Sequence, residues 1–342
     1  MRKVPLLLSA LLVLACGNAQ PQRYDLLIAG GSVVDGTGAP GFFADVAIDD
    51  GRIVGVSREP LPRDAAERVI DAAGMVVAPG FIDLHAHLDP LLEMPDAESH
   101  VRQGVTLALG GPDGSSPLPL APYLDSAANS GLGMNVAFLV GHNSIRRDVM
   151  GRENRAPTAA ELERMQALVA QGMDDGAFGL STGLKYTPGA FSETEEVIAL
   201  ARAAAERGGI YTSHLRDEGL HLLDGVAEAI RIGREAGIPV VLTHHKVVGQ
   251  PMWGSSQRTL AMIDSARAAG IDVMADQYPY TATYTGISIL VPAWALANGD
   301  SAFLRRVADP ALRDSIVAGI IWNIENDRGG ADLARVQLAR VS

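Results

Sequence analysis

The feature of this sequence that most constrains its fold is the alternation of short apolar runs with amphipathic segments after residue 76. The apolar runs lie at residues 76–84, 105–110, 135–141, 178–184, 209–213, 239–243 and 271–276. Between most of them, apolar residues recur at helical spacing. In "TAAELERMQALVAQGM", for example, Thr158 and Glu161 have the spacing of a capping box, and Ser192 and Glu195 repeat it in "SETEEVIALARAAAERGG". Buried strands that alternate with helices are typical of parallel βαβ units.

Seven such strands fit a (β/α)₈ barrel better than a doubly wound sheet, because no G-x-G-x-x-G motif follows the first strand. We therefore predict an α/β fold in which residues 78–342 form a TIM-like barrel without its last strand. Residues 24–77 differ, since their apolar runs are broken by Gly and Asp, as in "ADVAIDDGRIVGVS". This pattern is typical of hairpins and predicts a small β unit.

Residues 1–20 have the composition of an export signal. A basic start precedes an apolar stretch that is too short to span a bilayer as a mature helix. The following "VLAC" resembles a bacterial lipobox, in which the cysteine, here Cys16, is lipidated. We expect export to the bacterial periplasm with a membrane tether through Cys16. An ordinary cleaved signal with an incidental cysteine is the alternative.

The number of cysteines and the net charge exclude a disulfide within the chain and argue against some classes of binding partner. Cys16 is the only cysteine, so no disulfide can form within the chain. The net charge of −12 and the lack of a Lys/Arg-rich run argue against a broad phosphate-binding surface. We expect no nucleic-acid partner.

Histidines follow several of the predicted strands, where barrel enzymes carry their functional groups. His85 and His87 follow the first strand, and residues two apart on a strand share a face, so the pair can bind one ion. His214 follows the fifth strand and His244 the sixth. Imidazoles that converge with a carboxylate suit zinc.

The remaining histidines carry weaker signals. His142 follows the third strand and either contributes to the site or orders a loop. His245 is adjacent to His244, and because alternation sends neighbours to opposite faces, at most one of the two should reach the metal. His100 and His221 lie in helix-like segments, where we expect surface or packing roles.

Several long motifs together resemble the N-acyl-D-amino-acid deacylase branch of the amidohydrolase superfamily. They are "GFIDLHAHLDP", "GAFGLSTGLKYTPGAFSETEEV", "GGIYTSHLRDEG", "VVLTHHKVVG" and "DQYPYTA". The resemblance runs from about residue 24 to the end of the chain. It implies a β-sandwich flanking a metal-bearing barrel, one or two zinc ions, and hydrolysis of the amide bond of N-acyl-D-amino acids.

The resemblance also implies roles for single residues. His214 and His244 match the two downstream zinc ligands, and His85 and His87 match a pair that binds a weaker or absent second ion.

Substrate contacts are implied in the same way. Lys246 matches a residue that binds the substrate carboxylate, and so does a tyrosine of "YPY", with Tyr280 preferred to Tyr278. A solvated lysine after a strand is the alternative for Lys246.

The chain departs from the family pattern after the second strand, where these deacylases have a cysteine ligand. Asp113 stands there in "LALGGPDGSS", and we interpret it as a substitute, since carboxylates bind or bridge zinc. A Pro-Asp-Gly turn without a ligand is one alternative. The other is Lys185, because related amidohydrolases bridge two metals with a carboxylated lysine after strand four.

A second departure concerns the catalytic aspartate that follows strand eight in the family. No matching segment follows "DQYPYTA", so the catalytic residue is unknown and we interpret the chain as truncated at its C-terminus, with poor activity or stability. Two other functions stay open. One is a cyclic amidase like hydantoinases and dihydroorotases, and the other is a non-catalytic zinc-binding lipoprotein.

Overall fold

A computed structural model describes residues 23–328, 330–332, 334 and 336–338. The chain divides into two compact units, one ending at Gly80 and the other beginning at Phe81. The signal-like residues 1–20 and Cys16 lie outside the described part. Among the residues that the structure covers, no helix is long and apolar enough to cross a membrane.

The first unit is one five-stranded mixed sheet. Its neighbouring strands run in the order β3, β2, β1, β4, with β5 also paired to β1. The turn between β2 and β3 consists of Asp50 and Gly51, both with positive φ (48° and 68°), as expected for the Asp-Gly hairpin. The strands are β1 Tyr24–Val33, β2 Phe42–Asp49, β3 Arg52–Ser57, β4 Ala66–Asp71 and β5 Val76–Val77.

The second unit contains parallel strands that pair in chain order. The third apolar run is interrupted at Leu139, which separates β8 from β9 but still donates its amide to Gly110 of β7. The strands are β6 Phe81–Asp83, β7 Val105–Gly110, β8 Asn135–Phe138, β9 Val140–Gly141, β10 Gly179–Gly183, β11 Ile210–His214, β12 Val240–Leu242 and β13 Val273–Ala275.

Helices α1 to α7 occupy the connections between these strands, and α8 and α9 follow the last strand. They are α1 Glu98–Val101, α2 Ala121–Asn129, α3 His142–Met150, α4 Ala159–Asp174, α5 Thr194–Ala205, α6 Leu222–Ala236, α7 Ser256–Ala268, α8 Asp300–Ala308 and α9 Pro310–Asn326. Buried residues such as Leu180, Tyr211 and Val240 fill the space between strands and helices. The predicted fold class, an α/β barrel of the TIM type preceded by a β unit, is confirmed.

Two local predictions were wrong. The run at residues 76–84 is not one strand, because Pro79 and Gly80 interrupt it and its first residues pair with β1. The capping box of Thr158 and Glu161 is present at α4, but α5 has none. There the hydroxyl of Ser192 donates to the carbonyl of Gly189 (2.7 Å) instead.

Candidate metal centre

Four histidines stand at the carboxyl ends of three parallel strands. His85 and His87 follow β6, His214 is the last residue of β11, and His244 follows β12. The rings of His214 and His244 are 4.5 Å apart between centroids, and those of His85 and His244 are 4.8 Å apart. The imidazoles expected from the sequence therefore form one cluster.

Asp113 lies between the two pairs of imidazoles. Its Oδ2 is 3.6 Å from Nε2 of His85 and 3.4 Å from Nε2 of His87. Its Oδ1 is 3.7 Å from Nδ1 of His214 and 3.4 Å from Nε2 of His244. Each carboxylate oxygen thus faces one pair, which is the arrangement of a carboxylate shared by two cations.

A tight turn after β7 positions this carboxylate. Asp113 has φ 53° and Gly114 has φ 77°, and the amide of Ser115 donates to the carbonyl of Pro112 (3.1 Å). Aspartate tolerates this left-handed conformation better than most residues. The Pro-Asp-Gly turn considered as an alternative is therefore present, and it carries the carboxylate into the cluster.

Close packing against β10 fixes the turn. Ser181 accepts a hydrogen bond from the amide of Gly114 (3.1 Å). A Cβ at Gly183 would lie 2.2 Å from the carbonyl oxygen of Asp113, so only glycine allows this approach.

His244 is also held in a left-handed conformation, with φ 39°. Its amide donates to the carboxylate of Asp276, which follows β13. The next residue, His245, points elsewhere, with Nε2 2.8 Å from the hydroxyl of Thr259 on α7. Of the two adjacent histidines, the structure brings only His244 to the cluster.

Buried polar atoms without partners mark the cluster as a ligand site. Within the described part of the chain, Nδ1 of His85, Oδ1 of Asp113 and both ring nitrogens of His214 have no hydrogen-bond partner. Such atoms are costly to bury unless something binds them. Imidazole nitrogens around a carboxylate are the donor set that zinc prefers, so the residues present fit that ion.

The charged groups of the cluster shift one another's pKa values. Burial would raise the pKa of Asp113, but the facing imidazoles, His214 and His244 foremost, hold it well below its usual value. Burial would lower the pKa of His244, yet Asp113 and Glu218 raise it to about 9. Hydrogen bonding to Asp113 raises the pKa of His87, whereas burial lowers that of His214.

Glu218 is a member of the site that the sequence analysis missed. Its buried carboxylate lies 3.1 Å from Nδ1 of His244 and 3.8 Å from Nε2 of His214. Burial would raise its pKa, but His214, His244 and Lys246 hold it well below the ordinary value. The only signal in the sequence is the acidic pair in "SHLRDE", which does not tell which carboxylate turns inward.

Lys246 lies beside the cluster rather than in solvent. Its Nζ is 2.7 Å from Oε1 of Glu218 and 2.8 Å from Nδ1 of His244. Its ammonium lies 5.7 Å from the ring centroid of Tyr278, on which Tyr280 stacks. Tyr280 is 70% exposed, so the structure places Tyr278, the less favoured of the two tyrosines, next to the lysine.

Lys185, the alternative bridging ligand, follows β10 and forms an ion pair with the buried carboxylate of Asp327, which follows α9. Asp113, by contrast, lies between the imidazoles.

His142 is fully buried and lies at the start of α3. Its Nε2 is 2.8 Å from Oε1 of Glu196, which also accepts from Nε of Arg146 (3.0 Å). Of the two roles left open for His142, this buried network supports the structural one. The side chains of His100 and His221 contact Ser99 and Asp224, which are close to them in sequence.

A cavity of about 590 Å³ lies on the far side of Tyr186 from the cluster, and none of the residues of the cluster lines it. Its wall includes Tyr186, whose ring centroid is 4.6 Å from that of His214. The two lining arginines, Arg152 and Arg216, are paired with Asp300 and Glu228. A second cavity, of about 280 Å³, is lined by His87 of the cluster.

Comparisons with known proteins agree with this geometry. Residues 68–285 match the model of the Amidohydrolase family. The chain is 41% identical over 292 residues to a D-aminoacylase from Alcaligenes xylosoxydans xylosoxydans, covering 78% of this chain and 60% of that protein.

Two solved structures are similar. One is a D-aminoacylase with a binuclear metal centre (TM-score 0.71, 40% identity, 75% of this chain and 59% of that one). The other is an N-acyl-D-glutamate deacylase from Bordetella bronchiseptica in complex with zinc and a phosphonate inhibitor (TM-score 0.72, 40% identity, with the same coverage). The chain spans about 60% of the length of these relatives. From its barrel strands, its histidine and carboxylate cluster and these matches, the chain belongs to the amidohydrolase family.

Proposed function

We propose that this chain carries the metal site of a zinc-dependent hydrolase that cleaves the amide bond of N-acyl-D-amino acids. The products are a carboxylate and a D-amino acid. The observation that carries the proposal is the carboxylate of Asp113 between two pairs of imidazoles at the strand ends. The 41% identity to a D-aminoacylase supports the choice of substrate class.

The cluster supplies the ligands that amide hydrolysis of this kind requires. Zinc bound here would polarise the amide carbonyl and generate a nucleophile from water at neutral pH. The low pKa of Asp113 keeps its carboxylate ionised, so that it balances the charge of bound cations. The turn places its two oxygens between the two histidine pairs.

Lys246 and Tyr278 provide a means of binding the substrate carboxylate. The ammonium is fixed beside the cluster by Glu218, and the phenol ring lies next to it. A carboxylate on the substrate would accept charge-assisted hydrogen bonds from this lysine. The amide bond one carbon away would then lie at the cluster.

The proposal is tested with the purified chain and added zinc on a panel of N-acetyl-D-amino acids, their L-enantiomers and hydantoins. In keeping with the poor activity expected from the sequence, we expect slow hydrolysis of the D-compounds. His214→Ala should abolish it and His100→Ala, a substitution on α1 away from the site, should retain it. Hydrolysis of hydantoins alone would favour a cyclic amidase. Zinc binding without turnover of any compound would contradict the hydrolase and favour a non-catalytic zinc protein.

We also propose that the chain is exported and tethered to the membrane through Cys16. The support is the "VLAC" motif after a short apolar stretch. In cell fractionation, the protein should follow the membranes and Cys16→Ser should release it. Equal partition of both forms would contradict the tether.

A further inference from the structure

Glu218 contacts the two downstream imidazoles on the side opposite Asp113. Nε2 of His244 faces Asp113 and Nδ1 faces Glu218 (3.4 and 3.1 Å). For His214 the nitrogens are reversed, with Nδ1 toward Asp113 and Nε2 toward Glu218 (3.7 and 3.8 Å). Each ring therefore lies between two carboxylates, and the 3.1 Å separation of Nδ1 of His244 from Glu218 is the shortest of the four.

The side of the cluster at Glu218 already contains a cation. Nζ of Lys246 lies 2.7 Å from Oε1 of Glu218, and it also donates to the carbonyl oxygen of His244 (3.1 Å). This ammonium lies beside one oxygen of Glu218. Among the described residues, Nε2 of His214, which faces the other oxygen of Glu218, has no hydrogen-bond partner, and neither do Nδ1 of His214 and Oδ1 of Asp113 on the opposite side. His214, Glu218 and His244 could thus also hold an ion. Because Lys246 already neutralises Glu218, we expect the metal on the side of Asp113.

We propose that Glu218 is a positioning residue, whose buried carboxylate orients the ring of His244 and fixes the ammonium of Lys246. The inference rests on the metal site proposed above. When Nε2 of a histidine binds a metal, its other nitrogen carries the hydrogen, and an acceptor for that hydrogen sets the ring's orientation. Oε1 of Glu218 lies 3.1 Å from Nδ1 of His244 and can accept that hydrogen. Nζ of Lys246 is 2.8 Å from the same nitrogen, so with metal bound the ammonium would donate to Oε1 of Glu218 and to the carbonyl of His244 instead.

Loop contacts support this role. The main-chain carbonyl of Glu218 accepts from the amide of Val248 (2.8 Å), so the loop after β11 is tied to the loop after β12. The backbone that carries the Glu218 carboxylate is therefore held in place. Loss of this carboxylate would leave the imidazole of His244 and the ammonium of Lys246 without a contact that restrains them.

The first measurement is metal affinity, by competition with a chelator that reports the free ion. We expect Glu218→Ala to keep the metal stoichiometry and to weaken binding 10- to 100-fold, as is usual for loss of a partner of a metal-bound histidine. Glu218→Gln keeps an acceptor oxygen and should fall between this variant and wild type. Asp50→Asn, a change in the hairpin of the first unit, should leave metal affinity unchanged.

The second measurement is the reactivity of Lys246 toward acetic anhydride, followed by mass spectrometry on the metal-free protein. The chain has three lysines, Lys3, Lys185 and Lys246. Lys185 is an internal reference, since it is similarly exposed (18% against 20%) and also paired with a buried carboxylate. Glu218→Ala should increase labelling of Lys246 relative to Lys185.

Two results would overturn the inference. Wild-type metal affinity in Glu218→Ala would show that Glu218 does not orient His244. Loss of one metal equivalent would show that Glu218 is itself a ligand. Neither measurement needs turnover, so an inactive wild type that binds metal would count against the proposed hydrolysis while leaving the role of Glu218 standing.

Discussion

Asp113→Asn is the sharpest test of the shared carboxylate. Asparagine has nearly the same shape and also tolerates φ 53°, so the turn should persist while the charge is lost. Both oxygens of Asp113 face imidazoles at 3.4 to 3.7 Å, so both cation positions should be affected. Loss of a partner of a ligand costs 10- to 100-fold in affinity. Loss of a shared ligand should cost at least about 100-fold, or about 2.8 kcal/mol for each ion.

Metal content after dialysis and chelator competition would measure this loss. Asp50→Asn is the matched control, because Asp50 also has a positive φ (48°) but lies in the hairpin of the first unit. It should bind metal like wild type. If Asp113→Asn retained two ions at wild-type affinity, the carboxylate would not be the shared ligand and the reasoning would fail.

Three further outcomes are expected. Lys185→Met should leave metal stoichiometry unchanged, as measured by metal analysis, and loss of one ion would instead identify Lys185 as a ligand. Burial alone would raise the pKa of Glu196 above 4.5, but His142 and Arg146 bring the pKa in the folded protein below that value. The ionised Glu196 therefore stabilises the fold above about pH 4.5, and this stabilisation is lost as the pH falls through the folded-state pKa. Urea unfolding of Glu196→Gln should therefore show about 3–5 kcal/mol lower stability at pH 7, from the unpaired Arg146, and a flatter decline in acid, whereas a parallel decline would contradict this account. Leu180→Ala, at a fully buried position of β10, should cost about 2–5 kcal/mol in the same assay, and a loss below 1 kcal/mol would mean that the core there repacks.

Strand order and histidine placement could be predicted because both follow from local patterns. Each apolar run pairs with its chain neighbours, and in a parallel barrel the residues after the strands meet at one end. His214 and His244 could therefore be brought together from sequence alone. The start of α5 could not be predicted. Ser192 can either cap the helix or donate to the carbonyl of Gly189, and the sequence does not show which it does.

Contacts between distant loops could not be predicted either. Glu218 and Lys246 are 28 residues apart, and Lys185 and Asp327 are 142 residues apart. A repeating pattern in the sequence does not link such positions, because the conformation of each loop decides which of its charged side chains points inward. These pairings decide which lysine lies beside the cluster.

The left-handed backbone at Asp113 limits how this centre can change during evolution. Few side chains other than Gly, Asn, Asp and His accept that conformation, and others cost about 1–3 kcal/mol. A point mutation to a thiolate would thus carry a conformational penalty in addition to its new chemistry. Exchange between oxygen and sulfur ligation at this position is therefore easier when the backbone of the loop changes together with the side chain.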